Sequence, residues 1–311
     1  MKLITIGEPT GYRPRTTPVM IGPLDSDALR HVVGENQPAL WPEHARFVVD
    51  ASTGNVQLAL LLAEGIVEQP SATANDLITS NIISSFVTQA LPNGRELLAC
   101  CALALFSYFG YDGEPSAELT IFATAFDLTV TDLRGAARCL VTAGLLSEQG
   151  RYRSVSPHPL AIYLAARGWE EFHDYIVTRL LPTLDESLTE RLFHRAAGIG
   201  DFPVTKDTVA QLLAPGGLYE NVDVRVRSGD MLIPHFAALA PVAICRRVEA
   251  VLAAMPDDEL RDHSRNRQGV TWVLERLAWR TATFRRAADG LLRIAAVTPR
   301  SGPDYDAAAR S

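Results

Sequence analysis

The sequence predicts a mainly α-helical protein that carries one short β-hairpin. Apolar residues recur at the 3.6-residue spacing of an amphipathic helix along most of the chain after residue 24. In one stretch, residues 95–166, three helical runs are followed by a short polar tip and a further helical run. Hydrophobic residues make up 47% of the 311 residues, which is enough for buried cores and argues against disorder.

Residues 1–24 do not follow the helical pattern. Residues 3–7 are typical of a buried strand, and Val19–Ile21 is at most one further short strand. Two short strands make no sheet of their own, so we expect residues 1–24 to be the remnant of a larger α/β domain. Residues 25–91 are expected to form a small all-helical unit, in which Asp25 or Ser26 and then Pro42 begin helices and Gly54 separates two of them.

Residues 92–172 are predicted to form a winged helix, and its third helix is the clearest element. Leu133 and Leu140 recur at helical spacing, and Thr131 is suitably placed to cap the N-terminus. Gly144 follows, where the end of a helix favours a residue that adopts a positive φ.

The hairpin and the closing helix come next. Leu145 begins a strand, Gly150 lies at the polar tip, and Val155 ends the return strand facing inward. Ser156 and Pro157 are then predicted to be the N-cap and the first residue of the closing helix.

Residues 173–311 are predicted to form a helical array. The pairs that begin at Arg246 and Arg285 occupy similar helical contexts and lie 39 residues apart. This spacing is near the period of about 40 residues in HEAT-like repeats, which makes that repeat one option for the array. Four large apolar residues are expected to fill the core between its helices: Trp272, Trp279, Phe284 and Leu291.

The charge distribution argues against a protein that binds nucleic acid. The chain has a net charge of −7, and residues 92–172 carry 6 basic and 9 acidic groups. Residues 1–91 carry 5 and 9, and residues 173–311 carry 18 of each. None of these segments has the basic excess that binding to nucleic acid requires, so nucleic acid is not an expected partner.

The cysteine pattern and the hydropathy predict a cytoplasmic protein that has no membrane-spanning segment. Neither a signal peptide nor an apolar run of the roughly 18 residues needed for a span is visible. The four cysteines have no zinc-type spacing and are expected to be buried thiols of a reducing compartment: Cys100, Cys101, Cys139 and Cys245.

The order of these parts resembles the STAND ATPases, which are AAA-related, NLR-like P-loop switches that include bacterial antiphage sensors. In that family a P-loop domain is followed by a helical lid, a winged helix and a repeat array. Residues 3–9 look like the strand that ends at the first sensor position, and residues 25–91 look like the lid. The lid turn, Ser52–Asn55, is centred on Gly54; relatives usually have proline soon after this glycine, where this chain has Val56 and Gln57.

The resemblance implies three nucleotide-binding residues: Glu8, Gly54 and His158. Immune-receptor relatives carry a methionine–histidine–aspartate motif at the end of the winged helix, and its histidine contacts the bound diphosphate. His158 falls on that histidine, whereas Pro157 and Pro159 replace its neighbours. In a sensor role we expect its imidazole to face the turn at Gly54, and packing against the helical array would count against that role.

The motifs of phosphoryl transfer are missing from the sequence. It contains no GxxxxGK[ST] loop to cradle phosphates and no apolar strand ending in paired acidic residues to hold Mg²⁺. We therefore expect no enzymatic activity and no cofactor in this chain, and we predict that ADP or ATP with Mg²⁺ would need a preceding core domain.

The expected function is regulatory. The resemblance implies that the lid and winged helix clamp nucleotide and that the array recognises a protein trigger. The whole protein would then be a signalling ATPase, with a role in bacterial defence and with self-association as further options. One alternative is a transcription regulator that binds DNA through its winged helix, and another is a helical adaptor that binds proteins only. The DNA alternative would use four arginines on the third helix and the hairpin: Arg134, Arg138, Arg151 and Arg153.

Overall fold

The computed structural model describes residues 24–68, 81–91, 94–200, 202–224, 232–261 and 265–297. Within these ranges the chain is mainly helical with one small sheet, which confirms the predicted fold class. None of the helices in these ranges combines the length and the apolar character that crossing a membrane would require. The strands predicted at residues 3–7 and 19–21, together with Glu8, lie outside the described residues.

Residues 25–91, which we call the lid after the resemblance, contain four described helices. The predicted helix starts are confirmed: the Asp25 side chain accepts hydrogen bonds from the first turn of α1, and Pro42 is the first residue of α2. Leu58, Leu62 and Ile66 of α3 are buried. The helices are α1 (Ser26–Asn36), α2 (Pro42–Ser52), α3 (Val56–Glu68) and α4 (Asn81–Ala90).

The next elements have the order of a winged helix, with three helices, a β-hairpin and a closing helix. Gly144 and Gly150 adopt positive φ at the helix end and the hairpin tip, as predicted. The sheet has the order β1-β3-β2 and is antiparallel throughout. The elements are α5 (Arg95–Ala104), β1 (Phe109–Gly110), α6 (Glu118–Ala125), α7 (Val130–Thr142), β2 (Leu146–Gln149), β3 (Tyr152–Val155) and α8 (His158–Tyr175).

The sequence did not indicate the strand β1. Helix α5 ends at Ala104, although the apolar pattern continues, and Phe109 then pairs with Arg153 of β3. A Cβ atom at position 110 would stand 2.1 Å from the carbonyl oxygen of Pro115, so only glycine fits there. Two residues are too few to show strand periodicity, and the pairing partner lies more than forty residues later.

Two predicted helix starts are shifted in the structure. Thr129, and not Thr131, caps α7, because its hydroxyl accepts from Asp132 N while the Asp132 carboxylate accepts from Thr129 N. This reciprocal capping box needs an acidic residue three positions after the cap, which Thr131 lacks. Helix α8 begins one residue later than predicted, at His158, with Pro157 in the N-cap position.

The array follows without a break, because α8 runs through the boundary predicted at residue 172 and continues as a π-helical turn, Ile176–Leu180. Helix α8 therefore belongs to both the winged helix and the array. The array helices are α9 (Glu186–Gly198), α10 (Pro203–Leu213), α11 (Leu232–Leu239), α12 (Pro241–Ala254), α13 (Asp257–Arg261), α14 (Arg265–Ala278) and α15 (Phe284–Val297).

Two of the four residues predicted for the core of the array are exposed. Leu291 is buried and Trp272 is partly buried, but Trp279 is 89% exposed and Phe284 58% exposed. Trp279 comes directly after α14, and Phe284 begins α15. The other side of helix α15 packs on α12 and α14. A periodic apolar pattern does not show which side of a helix will be packed and which will stay exposed.

Candidate functional site

The candidate site lies where the lid turn, the start of α8 and the helical array meet. Helix α2 ends in a tight turn in which Thr53 has φ 46° and Gly54 has φ 90°. Glycine is favoured at such a φ because it has no Cβ to clash with the backbone. The carbonyl oxygen of Gly54 accepts from Leu24 N at 3.0 Å, and the Asn55 side chain accepts from Leu58 N at 2.9 Å. These bonds hold the turn in one conformation.

The lid turn faces the start of the closing helix. The hydroxyl oxygens of Thr53 and Ser156 lie 3.5 Å apart, and helices α2 and α4 pack against α8. The sequence predicts that the lid packs there through the apolar residues of α3: Leu58, Leu61, Leu62 and Ile66. That helix is instead buried mainly among the other lid helices, because its apolar residues surround it on most sides.

The imidazole of His158 lies against the array. A Cβ atom built at Gly198, the last residue of α9, would stand 3.6 Å from His158 Cε1. Partial burial lowers the pKa of His158, and the nearby Arg195 and His194 lower it further. His158 is thus two residues from Ser156 in sequence, but its ring contacts α9. His158 is an exposed residue whose observed ring contact is with α9, and the nucleotide-sensing role that the resemblance implies stays a prediction.

A cluster of basic side chains surrounds that contact. The rings of His194 (α9) and His235 (α11) are perpendicular, with centroids 5.3 Å apart. His235 Nε2 is buried and has no hydrogen-bond partner among the described residues. Burial lowers the pKa of His235 to about 4, with smaller effects of His194 and Arg276. Arg195 is also buried, with its Nη2 donating to the carbonyl oxygen of Ser107 at 3.2 Å.

A buried ion pair joins the array to the winged helix. Arg191 of α9 donates to both carboxylate oxygens of Glu118 in α6, at 2.9 and 3.0 Å. Glu118 also accepts from Gly110 N at 2.7 Å, and the Arg191 guanidinium lies over the ring of Tyr108. The two side chains are 6% and 13% exposed, so this bidentate pair is almost fully desolvated. We call these two residues the clasp.

Sequence reasoning did not identify the clasp or the histidine cluster. Glu118 and Arg191 are 73 residues apart, and His194 and His235 belong to different helices of an array with no recognised spacing rule. The available sequence signal was an arginine at helical spacing with apolar residues, since Arg191 falls on the same side of α9 as Leu188 and Leu192.

The four arginines considered for DNA binding are not equivalent. Arg134 and Arg138 are exposed on the outer side of α7, and Arg151 is exposed at the hairpin tip. Arg153 is directed inward: its side chain is 11% exposed and pairs with Asp112 at 2.9 Å and Glu148 at 3.4 Å. The structure therefore brings three of the four to the surface and uses the fourth within the sheet.

No group of three or more acidic, histidine or cysteine side chains among the described residues is arranged to hold a metal ion. Cys100, Cys101 and Cys245 are buried free thiols, and burial raises the pKa of Cys101 to about 12, which keeps it protonated at neutral pH. No known family model, curated protein or solved structure matches the chain significantly.

Proposed function

We propose that the chain is the regulatory portion of a STAND-type signalling ATPase. It would comprise the lid, the winged helix and the first part of a sensor array, and it would work in the cytoplasm. The observation that carries this proposal is the contact between the lid turn and the start of α8, made by Thr53 and Ser156 and backed by α2 and α4. In STAND ATPases these two elements close around the nucleotide.

Helix α8 would transmit the signal in this switch. Its first turn lies beside the lid turn, and its later turns belong to the array. The clasp also holds α9 against the winged helix, so a partner that displaces the array would pull on the winged helix. The trigger must bind the open and closed states unequally, and moving a 1:99 equilibrium to 99:1 takes about 5.5 kcal/mol of differential binding.

The nucleotide itself would need a P-loop core. This chain supplies the lid turn, the Ser156 hydroxyl and the free backbone N–H groups at the start of α8, which suit an anion but cannot replace a phosphate-binding lysine. The chain alone is therefore proposed to have no ATPase activity and at most weak affinity for ADP.

The test begins with the genomic DNA upstream of the codon for Met1. The proposal predicts an in-frame Walker A motif there. Protein expressed from that longer frame should retain about one ADP per molecule after purification, measured by chromatography of the denatured protein. A stop codon with no P-loop gene beside it, or a longer protein that carries no nucleotide, would contradict the proposal.

A DNA-binding regulator remains the second candidate, because Arg134, Arg138 and Arg151 are exposed on the parts of a winged helix that reach DNA. Fluorescence anisotropy with a 30-base-pair duplex separates the two functions. The switch predicts no binding at physiological salt and no effect of replacing the three arginines by glutamate. Salt-dependent binding that these substitutions abolish would favour the regulator.

A further inference from the structure

In the described part of the chain, the helical pair α14 and α15 carries exposed apolar side chains on one side. Phe284, Ala288 and Leu292 follow one another at four-residue steps along α15, so they lie on one side of the helix. Phe284 is 58% and Leu292 66% exposed, and Trp279, directly after α14, is 89% exposed. The opposite side of α15 is buried through Ala287, Leu291 and Ile294. We call Trp279, Phe284, Ala288 and Leu292 the terminal face.

The concentration of large apolar side chains here is unusual for this protein. The described residues include nine large hydrophobic side chains with high exposure, and three of the nine fall between positions 279 and 292. Single exposed apolar residues need no explanation, but a contiguous patch with a polar rim is typical of a surface that binds another protein.

The charge around the terminal face specifies the kind of partner. Residues 265–297 carry seven arginines and two acidic residues, although the whole chain has a net charge of −7. Three of these arginines are engaged: Arg267 is buried and donates to the carbonyl oxygen of Arg261, Arg276 lies over the ring of Trp272, and Arg286 pairs with Glu249. Three others are exposed: Arg280 in the turn between α14 and α15, and Arg285 and Arg293 on α15, where the exposed Asp289 lies between them. An apolar stripe beside exposed arginines is complementary to an apolar stripe beside carboxylates.

We propose that the terminal face binds an acidic amphipathic helix of a partner protein. Apolar residues of that helix at positions i, i+3 or i+4, and i+7 would pack on Trp279, Phe284 and Leu292, and its Asp or Glu residues would meet Arg285 and Arg293. The aromatic residues and the arginines are the residue types that contribute most to such interfaces. The proposal does not depend on the nucleotide switch, since a helical adaptor would use the face in the same way.

Two other occupants fit less well. A second copy joined through a two-fold axis would place the same exposed arginines opposite one another, and like charges repel. Bases of single-stranded nucleic acid would stack on Trp279 and Phe284 but would make no specific contact with Leu292 and Ala288. The acidic helix is the occupant that uses both the aliphatic and the charged parts of the surface.

The experiment is a selection from a displayed library of random 16-residue peptides against the whole chain. Binders to a Trp279→Ala, Leu292→Ala double variant are removed first. The expected survivors carry net negative charge and apolar residues at helical spacing. A surviving peptide is then synthesised and labelled, and its binding is measured by fluorescence anisotropy at physiological salt. It should bind at least tenfold more weakly to Trp279→Ala, and to the double variant Arg285→Glu, Arg293→Glu, than to the parent chain. The controls Trp41→Ala and Arg46→Glu change exposed residues of the lid and should bind normally.

Circular dichroism and thermal unfolding of each variant establish that the fold is intact. Survivors without an acidic, helical pattern, or survivors that bind the terminal-face variants and the parent equally, would overturn the proposal. A dimer in analytical ultracentrifugation that Trp279→Ala dissociates would assign the face to a second copy. Binding of a 20-nucleotide single strand that the same substitution abolishes would assign it to nucleic acid. Peptide binding that appears only when residues 298–311 are deleted would assign the face to the chain's own terminal segment.

Discussion

Gly110 is the residue whose environment is least tolerant of change. An added Cβ would lie 2.1 Å from the Pro115 carbonyl oxygen, and neither the strand nor the following turn can move away cheaply. We expect Gly110→Ala to lower the free energy of unfolding by about 1–3 kcal/mol, the usual cost of overpacking, in urea denaturation. Gly135→Ala is the matched control, because nothing lies within 4 Å of its Cβ position on α7. The control should be neutral or stabilising by about 0.5–1 kcal/mol, and equal losses at both sites would contradict the account.

His235 gives the protein a pH-dependent stability. Its pKa is about 4 in the folded protein, below the ordinary value of 6.5, because burial disfavours the charged ring. Between these values the unfolded chain binds the proton and the folded chain does not, so the stabilisation is complete above pH 6.5 and is lost as the pH falls toward 4. The groups that face it are His194, with His158 and Arg195 beyond, and Arg276 of α14.

The size of this effect is limited by the partial exposure of the ring. After allowance for solvent screening, we expect the free energy of unfolding of the parent to fall by about 1–2 kcal/mol more between pH 7 and pH 4.5 than that of His235→Gln. Urea denaturation at each pH measures both. His31→Gln, on the surface of α1, is the control for removing a histidine elsewhere in the chain. A His235→Gln protein that loses as much stability in acid as the parent would show that His235 is not responsible.

At the level of elements, the clasp is what joins α9 to the winged helix. Removing either partner leaves the other charge buried and unpaired. Glu118→Ala and Arg191→Ala should therefore each lower the free energy of unfolding by about 3–5 kcal/mol. The double variant should cost clearly less than the two single losses added together, because neither charge then remains. The matched control is the exposed pair of Asp27 and Arg30, for which about 0–1 kcal/mol is expected. Strictly additive losses at the clasp would mean that the two side chains are not coupled.

The sequence predicted those elements whose signals are local. Asp25 and Pro42 at helix starts, and Gly144 and Gly150 at a helix end and a hairpin tip, follow from cap and turn chemistry that needs only a few neighbouring residues. The first strand β1 was missed because its partner is distant in sequence and it is only two residues long.

The parts of the site that were missed depend on tertiary contacts. The lid turn was identified from Gly54, and its proximity to the closing helix is seen at Thr53 and Ser156. The orientation of His158 toward Gly198 was not predictable, since it depends on how α9 packs against α8. Periodicity also placed Trp279 and Phe284 in the core of the array, which is wrong, because it does not show which side of a helix stays exposed.

At the scale of the whole molecule, the lid, winged helix and array are built as one connected unit. A single apolar core runs through all three, α8 is shared by the second and third, and the clasp bridges them again. Such continuity is what a switch needs if a partner at the far end, such as one on the terminal face, is to influence the lid turn. Coupling of this kind is a free energy between two sites and acts in both directions.

The most direct test of the proposed clamp is to lock the lid turn to α8. In the longer protein with its P-loop core, Thr53→Cys and Ser156→Cys would be oxidised to a disulfide, and the release of bound ADP measured against excess unlabelled nucleotide. We predict that the disulfide slows ADP release at least tenfold and that reduction restores the original rate. Equal release rates before and after reduction would contradict the claim that these elements clamp nucleotide.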